Sequence, residues 1–183
     1  MSKPLAFTYH HNHLEAYRPV IVAVLDSGLT CSASIPCPAE MGASIHISGT
    51  GSSIVDTILV CRSTGAVPRR WLVETPEQLA ILVRDDVENL RIGGLKATCG
   101  DIRCIIYGHL ARLAIWRLRT AWNKNLSIPE KLAIVATELG RGPALLSVEN
   151  YLAKNDAQAP LRRYVKIREE ETLYGEGDDE VSF

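Results

Sequence analysis

Three histidines, His10, His11 and His13, stand together near the start of the chain. Imidazole exchanges protons near neutral pH, so such a group suits the lining of a ligand pocket. His10 and His11 follow a short apolar run at residues 5–9, and ligands of open α/β sheets bind beyond the carboxyl ends of the strands. We therefore predict that His10 and His11 line a pocket; the alternative is a helix entry decorated with polar residues. No metal site is predicted, because Glu15 is the one carboxylate nearby in sequence.

Glycines and hydroxyl groups are combined in the segment Ser-Gly-Thr-Gly-Ser-Ser at residues 48–53. A phosphate-binding loop of this composition is followed by a lysine and a helix. Here no lysine follows and the next residues have the composition of a strand, so a hairpin loop is the simpler interpretation. If the loop has a function, we expect Ser48, Thr50 and Ser52 to touch a substrate.

The five cysteines are scattered and include no Cys-x-x-Cys pair. Cys31 and Cys61 fall within predicted strands, where a free thiol behaves as a small apolar side chain. A catalytic thiol would need a base beside it. We therefore predict structural roles for the cysteines, with reduced thiols and a cytoplasmic location.

Arginines alternate with tryptophans in the second half of the chain. Arg112 and Arg119 are seven residues apart and therefore share one face of a predicted helix. Such a stripe can contact the phosphates of a nucleic acid. The alternative is a solvated helix face whose arginines pair with neighbouring carboxylates.

Strand and helix signals alternate in the first half of the chain. Strands are predicted at residues 5–9, 29–36 and 54–62. A helix between the first two is predicted to begin with Asn12 as N-cap and Glu15 as its capping-box partner, to kink at Pro19 and to stop at Gly28. The last two strands are expected to pair antiparallel, with the final strand at the edge of the sheet.

Alternation along the second strand places Cys31, Ala33 and Ile35 on one face and Ser32 and Ser34 on the other. A strand of this kind is half-buried, so one of the two faces should pack on the core.

Helix-capping residues follow in the second half. Helices are predicted at residues 75–93, 101–122, 127–140 and 143–155. The first is capped by Thr75 with Gln78, the second by Asp101 and the third by Ser127 with Glu130. The second is apolar on most sides and is therefore expected to be central. The acidic segment at residues 168–180 is predicted to be disordered.

Composition limits the class of protein. The chain has 183 residues, a net charge of −1, 46% hydrophobic and 22% charged residues. These values are typical of a globular domain and exclude a strongly basic nucleic-acid coat protein. No apolar run reaches the ~18 residues of a membrane span, and the first 13 residues lack the apolar core of a secretory signal.

Two segments carry a family resemblance. One is Leu-Ala-Phe-Thr-Tyr-His-His at residues 5–11, with a helix ending in Leu-Asp-Ser-Gly-Leu-Thr at 25–30; the other is Ser-Ser-Ile-Val-Asp-Thr-Ile-Leu-Val-Cys-Arg at 52–62. Both resemble large bacterial and archaeal adenine-specific DNA methylases. Residues 32–40 are similar to the penultimate strand of that family, and a weaker similarity covers residues 100–122.

The resemblance implies the closing strands of a Rossmann-like class I methyltransferase sheet, followed by a mostly helical C-terminal segment. Such enzymes transfer a methyl group from S-adenosylmethionine to N6 of adenine, and they extrude the target base from the DNA duplex. Their Asp/Asn-Pro-Pro-Tyr/Phe motif and glycine-rich cofactor loop lie upstream of the strand matched by residues 5–9, and neither occurs in this sequence. The chain is therefore expected to be inactive alone. It would bind S-adenosylmethionine only when an upstream-encoded methyltransferase half completes it.

The resemblance also divides the chain into a methyltransferase-like α/β part at 1–66, a helical extension at 67–160 and an acidic tail at 161–183. It places His10 and His11 beside the target-base or cofactor pocket, and the loop at 41–53 on the DNA side. A truncated, inactive remnant is a second possibility. The alternative from another class is a stand-alone module that binds nucleic acid or protein through the arginine-bearing helices. No membrane partner is expected.

Overall fold

A computed structural model describes residues 4–39, 54–63 and 75–141. Within these ranges the strands are β1 (Leu5–Tyr9), β2 (Leu29–Pro38) and β3 (Val55–Ser63), and the helices are α1 (Tyr17–Asp26), α2 (Pro76–Ile92), α3 (Cys99–Leu118) and α4 (Ile128–Arg141). The predicted α/β class is confirmed. The predicted helix at 143–155, the acidic tail and the loop at 41–53 lie outside the described residues.

The three strands form one sheet in the order β1-β3-β2, and β3 runs antiparallel to both neighbours. β1 and β2 therefore run parallel to each other and are joined through α1, as in a β-α-β unit. The predicted antiparallel pairing of the last two strands is confirmed, but the prediction that β3 is an edge strand is wrong. Alternate residues of β3, from Val55 to Cys61, are fully or almost fully buried, which suits a central strand.

A β-bulge at Ser32 changes the predicted faces of β2. Cys31 pairs with Cys61 and Ala33 with Val60, so two consecutive residues of β3 oppose three residues of β2. Because a bulge inserts one residue, the alternation shifts after it. Cys31 and Ser34 therefore share the core face, and the prediction that Cys31, Ala33 and Ile35 share a face is wrong.

Helix α1 begins later than predicted. A short 3₁₀ turn at Leu14–Ala16 precedes it, and Ala16, not Asn12, is its N-cap residue. Pro19 consequently lies in the first turn, where its missing N–H is not needed, and the predicted kink has no cause. After the helix, Gly28 adopts a φ of 69° in the turn that leads into β2, as the predicted stop requires.

Helix α3 packs on the sheet and is buried along almost its whole length, as predicted for a central helix. Thr98, not Asp101, is its N-cap residue, and Asp101 completes a capping box at the third helical position. Gly108 allows the close approach to the sheet: a Cβ atom there would lie 2.4 Å from Ser34 Oγ and 2.7 Å from Thr57 Cγ2. The sheet and the helices of the second half therefore share one core.

The remaining helices surround α3. The predicted capping box of Thr75 and Gln78 begins α2, and Ser127 bonds the carboxylate of Glu130 at the start of α4. Asp26 at the end of α1 accepts hydrogen bonds from Lys131 Nζ and Trp122 Nε1, both at 2.9 Å, and so joins α1 to α4. No helix among the described residues has the length and apolar character that a membrane span needs.

Candidate functional site

The carboxyl ends of β1 and β2 bring together polar side chains from three elements. His10 directly follows β1, Asp56 lies at the start of β3, and Cys104 lies in the second turn of α3. His10 Nδ1 is 3.5 Å from Asp56 Oδ1 and 3.9 Å from Cys104 Sγ. We call these three residues the carboxyl-end cluster. Its position is the one at which open α/β sheets bind ligands.

The backbone fixes the tautomer of His10. Its Nδ1 lies 3.0 Å from the carbonyl oxygen of Val55, and a carbonyl can only accept. Nδ1 therefore carries the proton, and Nε2 of the neutral ring is left as an acceptor. About a third of the His10 side chain is exposed, at 33%. The ring can thus accept a hydrogen bond from a ligand at Nε2, while the Asp56 carboxylate lies 3.5 Å from Nδ1.

Cys104 lies on the buried side of the cluster and is not accessible to solvent. The residue is buried, and its Sγ lies 3.8 Å from the carbonyl oxygen of His11 and 3.9 Å from Asn12 Oδ1. Both of these oxygens accept, so they favour the protonated thiol. Cys104 therefore shapes the site as a structural thiol.

Asp101 sets the distance between the start of β3 and α3. Its Oδ1 accepts hydrogen bonds from the backbone amides of Ile54 at 2.8 Å and Val55 at 3.0 Å, and its Oδ2 accepts from the amide of Thr98 at 2.6 Å. The carboxylate is fully buried. Because it satisfies amides from a strand and from its own helix end, it holds Asp56 beside His10.

Three tyrosine rings pack against one another behind the site. The Tyr17 ring packs edge-on against Tyr9 at 4.9 Å and against Tyr107 at 5.9 Å. The Tyr17 hydroxyl is buried, and within the described residues it has no hydrogen-bond partner. Burial raises the pKa of Tyr17 well above its ordinary range, so the phenol stays protonated and keeps a proton to donate.

Of the residues predicted to line a pocket, only His10 joins the cluster through its side chain. His11 Nδ1 accepts a hydrogen bond from the backbone amide of His13 at 3.0 Å, and the side chain is exposed. Its carbonyl faces Cys104. Ser48, Thr50 and Ser52 lie outside the described residues.

Arg112 and Arg119 do not form an exposed stripe on α3. Arg112 is only 7% exposed and lies near Cys31 beneath the sheet. Arg119 stacks on the Trp116 ring at 2.8 Å from its centroid and donates to the Trp116 carbonyl. The face that their spacing predicts is therefore not exposed along its length. The Arg112 guanidinium points inward, because the central helix is buried on most sides.

Three residues of the site were not among the site residues predicted from the sequence: Asp56, Asp101 and Cys104. Asp101 carried a signal, since Thr98 three residues before it makes a capping-box pattern. Asp56 is the one charged residue in the apolar run at 54–61. Cys104 had no local signal, because its neighbours come from residues more than 90 positions away.

The arrangement favours hydrogen bonding and proton transfer over metal binding. Across the described ranges, no three side chains of His, Cys, Asp or Glu converge as metal ligands would. A single imidazole backed by one carboxylate can orient a polar ligand and hold one proton. No second described acid or base is placed to complete a catalytic pair.

No known protein family, curated protein or solved structure matches this chain. The interpretation of the carboxyl-end cluster therefore rests on its geometry and on the resemblance of the two sequence segments.

Proposed function

We propose that this chain is the closing portion of an S-adenosylmethionine-dependent DNA adenine-N6 methyltransferase. It completes the sheet of a second chain that supplies the cofactor loop and the Asp/Asn-Pro-Pro-Tyr/Phe motif. The open edge of β1 carries this proposal, and the β-α-β connection and the position of His10 are consistent with it.

β1 has a neighbour on one side only. It pairs with β3 through residues from Leu5 to Tyr9, and no other described strand lies on its far edge. Leu5 is 49% exposed and Phe7 is half-buried, although both face the core side of the sheet opposite Cys61 and Leu59. An apolar strand with an open row of backbone groups is a template for pairing with another strand. A methyltransferase half that ends in a strand would cover both the backbone groups and the apolar side chains.

The topology is compatible with the closing part of a larger sheet. β1, α1 and β2 make a parallel β-α-β unit, and such units occur in sheets whose strands are covered by helices on their faces. Mixed sheets with one antiparallel strand are common among α/β folds. The segments that resemble the DNA methylases include all of β1 and all of β3 except Ser63.

His10 has a defined part in this proposal. It lies at the carboxyl end of β1, next to the edge where the partner strand would add, and its Nε2 is an acceptor. It would accept a hydrogen bond from the ligand held between the two chains. The described residues include no glycine-rich loop after a strand that could hold S-adenosylmethionine, so no step of methyl transfer is assigned to this chain.

The test combines this chain with the upstream-encoded methyltransferase chain that carries the two missing motifs. Isothermal titration with S-adenosylmethionine is performed on each chain and on the mixture, followed by transfer of labelled methyl groups to duplex DNA. We expect no binding by this chain alone, a stable complex of the two chains, and methylated adenine only with the mixture. Absence of a complex together with absence of methylation would refute the proposal.

A pair of matched variants tests the docking edge. Leu5→Lys places a charge on the β1 edge, whereas Ile92→Lys changes an apolar side chain that is 72% exposed at the end of α2. We expect Leu5→Lys to weaken the complex at least about tenfold, because a lysine would have to be buried against the partner strand. Ile92→Lys should leave the affinity unchanged. Equal effects of the two variants would argue against β1 as the docking edge.

The alternative of a stand-alone nucleic-acid-binding module depended on arginines exposed along one helix. Because Arg112 is buried and Arg119 is stacked on Trp116, the described structure offers no specific observation that favours this second function.

A further inference from the structure

Two thiols face each other at the amino end of the sheet, far from the carboxyl-end cluster. Cys31 of β2 and Cys61 of β3 are directly opposed in the antiparallel register. Both residues are fully buried, and both belong to the core face of the sheet. Directly opposed residues of an antiparallel pair have Cβ atoms about 4.5–5.5 Å apart, close to the separation that a disulfide spans.

The two thiols differ in their surroundings. Cys31 Sγ donates its hydrogen to the carbonyl oxygen of Ala33 at 3.2 Å. The neighbouring Cys31 thiol lowers the pKa of Cys61, while the Cys61 sulfur and burial raise the pKa of Cys31. Of the two thiols, Cys61 therefore loses its proton more easily.

A buried positive charge stands beside this pair. Arg112 of α3 is 7% exposed, its Nε has no hydrogen-bond partner, and its electrostatic neighbours are Cys31 and Asp86. The Asp86 Oδ2 atom is already bound to His109 Nε2 at 2.8 Å. A guanidinium near a thiol stabilises the thiolate, which is the form that reacts with oxidants.

The β-bulge lies directly beside the pair. Ser32 is the inserted residue, and its Oγ donates to the carbonyl oxygen of Val60 at 3.1 Å. A bulge interrupts the ladder of backbone hydrogen bonds, so local opening of β2 is easier here than in a regular pair of strands. A small oxidant can therefore reach sulfur atoms that are buried in the closed structure.

We propose that Cys31 and Cys61 are a redox modification site that forms a reversible cross-strand disulfide when hydrogen peroxide is the oxidant. The Cys61 thiolate attacks one peroxide oxygen, the O–O bond breaks, and the leaving hydroxide takes a proton to become water. Cys31 sulfur then attacks the resulting Cys61 sulfenic acid; the S–S bond forms, the S–O bond breaks, and the hydroxide leaves with the Cys31 proton as a second water. The two thiols lose two electrons, and the peroxide gains them.

The consequence is a covalent link between β2 and β3 that the proposed methyltransferase role does not require. Cross-linking residues 31 and 61 restricts the unfolded chain, because it closes a loop of about 30 residues. We expect the oxidised chain to melt about 5–10 °C above the reduced chain. The disulfide would therefore fix the amino end of the sheet under oxidising conditions.

The test treats the full chain with hydrogen peroxide, blocks the remaining thiols with N-ethylmaleimide and measures the intact mass without reduction. The background is the Cys37→Ser variant, because Cys37 is the more accessible thiol of β2. Compared with the reduced and fully blocked chain, we expect two fewer N-ethylmaleimide adducts and a further loss of about 2 mass units, for two hydrogens. Dithiothreitol treatment before blocking should abolish this mass loss. Trypsin leaves Cys31 and Cys61 in one peptide, since Lys3 and Arg18 both precede proline. Cleavage after Glu40 separates them, so a link between the two resulting peptides identifies the disulfide.

Single variants decide the assignment. Adding Cys31→Ser or Cys61→Ser should abolish the mass loss, whereas adding Cys104→Ser should leave it unchanged. Unfolding the Cys37→Ser chain in guanidinium should remove the preference for the Cys31–Cys61 disulfide over other cysteine pairs. The two thiols are then no longer held opposite each other by the strand register. A mass loss that survives either Cys31→Ser or Cys61→Ser would overturn the proposal. Uptake of oxygen without a cross-link in the folded Cys37→Ser chain would overturn it as well.

Discussion

Helix α3 buries one charged residue at each end of the sheet, and the two residues differ in the hydrogen bonds that compensate their burial. Asp101 at the carboxyl end is fully buried and accepts hydrogen bonds from three backbone amides. Arg112 at the amino end is 7% exposed, and its Nε has no hydrogen-bond partner. A buried charge stabilises a fold only when its surroundings replace the water it has lost. Asp101 therefore organises the structure, whereas the Nε of Arg112 has lost its water without gaining a hydrogen-bond partner, next to Cys31.

The thiols at the two ends show the same contrast. At the carboxyl end, Cys104 lies among oxygen acceptors and beside the Nδ1 of His10, which carries a proton. At the amino end, Cys31 faces a second thiol and a guanidinium. The same residue type is thus a structural thiol at one end and a candidate for oxidation at the other.

The largest expected effect is at Asp101. Asp101→Ala removes the acceptor of the Ile54, Val55 and Thr98 amides. Val55 is buried and Ile54 is half-buried, and an unsatisfied buried group costs about 1–3 kcal/mol. We expect the free energy of unfolding to fall by about 3–5 kcal/mol, measured by urea denaturation. Thr98→Ala is the control, since it removes the reciprocal cap alone and should cost about 1 kcal/mol. A loss for Asp101→Ala no larger than for the control would contradict the role assigned to this carboxylate.

A substitution at Gly108, at the midpoint of α3, should lower the free energy of unfolding nearly as much. In Gly108→Ala the new methyl group would approach Ser34 Oγ and Thr57 Cγ2 closer than real Cβ atoms do, so α3 must move away from the sheet. Overpacking of this kind costs about 1–3 kcal/mol. Gly140→Ala is the matched control in α4, where nothing lies within 4 Å of the added atom, and it should stabilise by up to about 1 kcal/mol. Denaturation of both variants checks whether their effects have opposite signs.

Arg112 should behave opposite to Asp101. Arg112→Met replaces a poorly compensated buried charge with an apolar side chain of similar length, so stability should stay within about 1 kcal/mol or rise. The same variant should slow closure of the disulfide, because it removes the positive charge beside Cys31, the thiol that attacks the oxidised Cys61. The rate is measured from the intact mass of samples quenched with acid at successive times after peroxide addition. A destabilisation as large as that of Asp101→Ala would show that the two ends are not different after all.

The smallest expected effect concerns Asp26, which lies at the amino end of the sheet. Hydrogen bonds from Trp122 and then Lys131 lower the pKa of its carboxyl below the ordinary value. A group whose folded pKa is depressed stabilises the fold above its unfolded pKa of about 3.9, and that stabilisation is lost as the pH falls through the folded pKa.

Urea midpoints of the wild-type chain and Asp26→Asn at several pH values provide the check. The difference in midpoint should be largest near neutral pH and should shrink below about pH 4, where the wild-type carboxyl begins to take up its proton. A difference that is constant over this range would show that the effect of Asp26 is not electrostatic.

Local signals in the sequence were sufficient for most elements. The three strands, the capping box at Thr75, the stop at Gly28 and the central position of α3 were all predicted from neighbouring residues. These features depend on turn chemistry, capping and periodicity, which act over a few positions. The position of His10 directly after a strand was also predicted, from the apolar run at residues 5–9.

Only the tertiary structure decided how distant segments meet. The central place of β3, the bulge at Ser32 and the opposition of Cys31 to Cys61 depend on register between strands, and one inserted residue reverses every face that follows it. Likewise, the helical spacing placed Arg112 and Arg119 on one face of a helix. It could not predict whether that face points toward the core, because α3 is buried on most sides. The sequence by itself therefore determined most of the elements and their order, while packing of α3 on the sheet determined which side chains became neighbours.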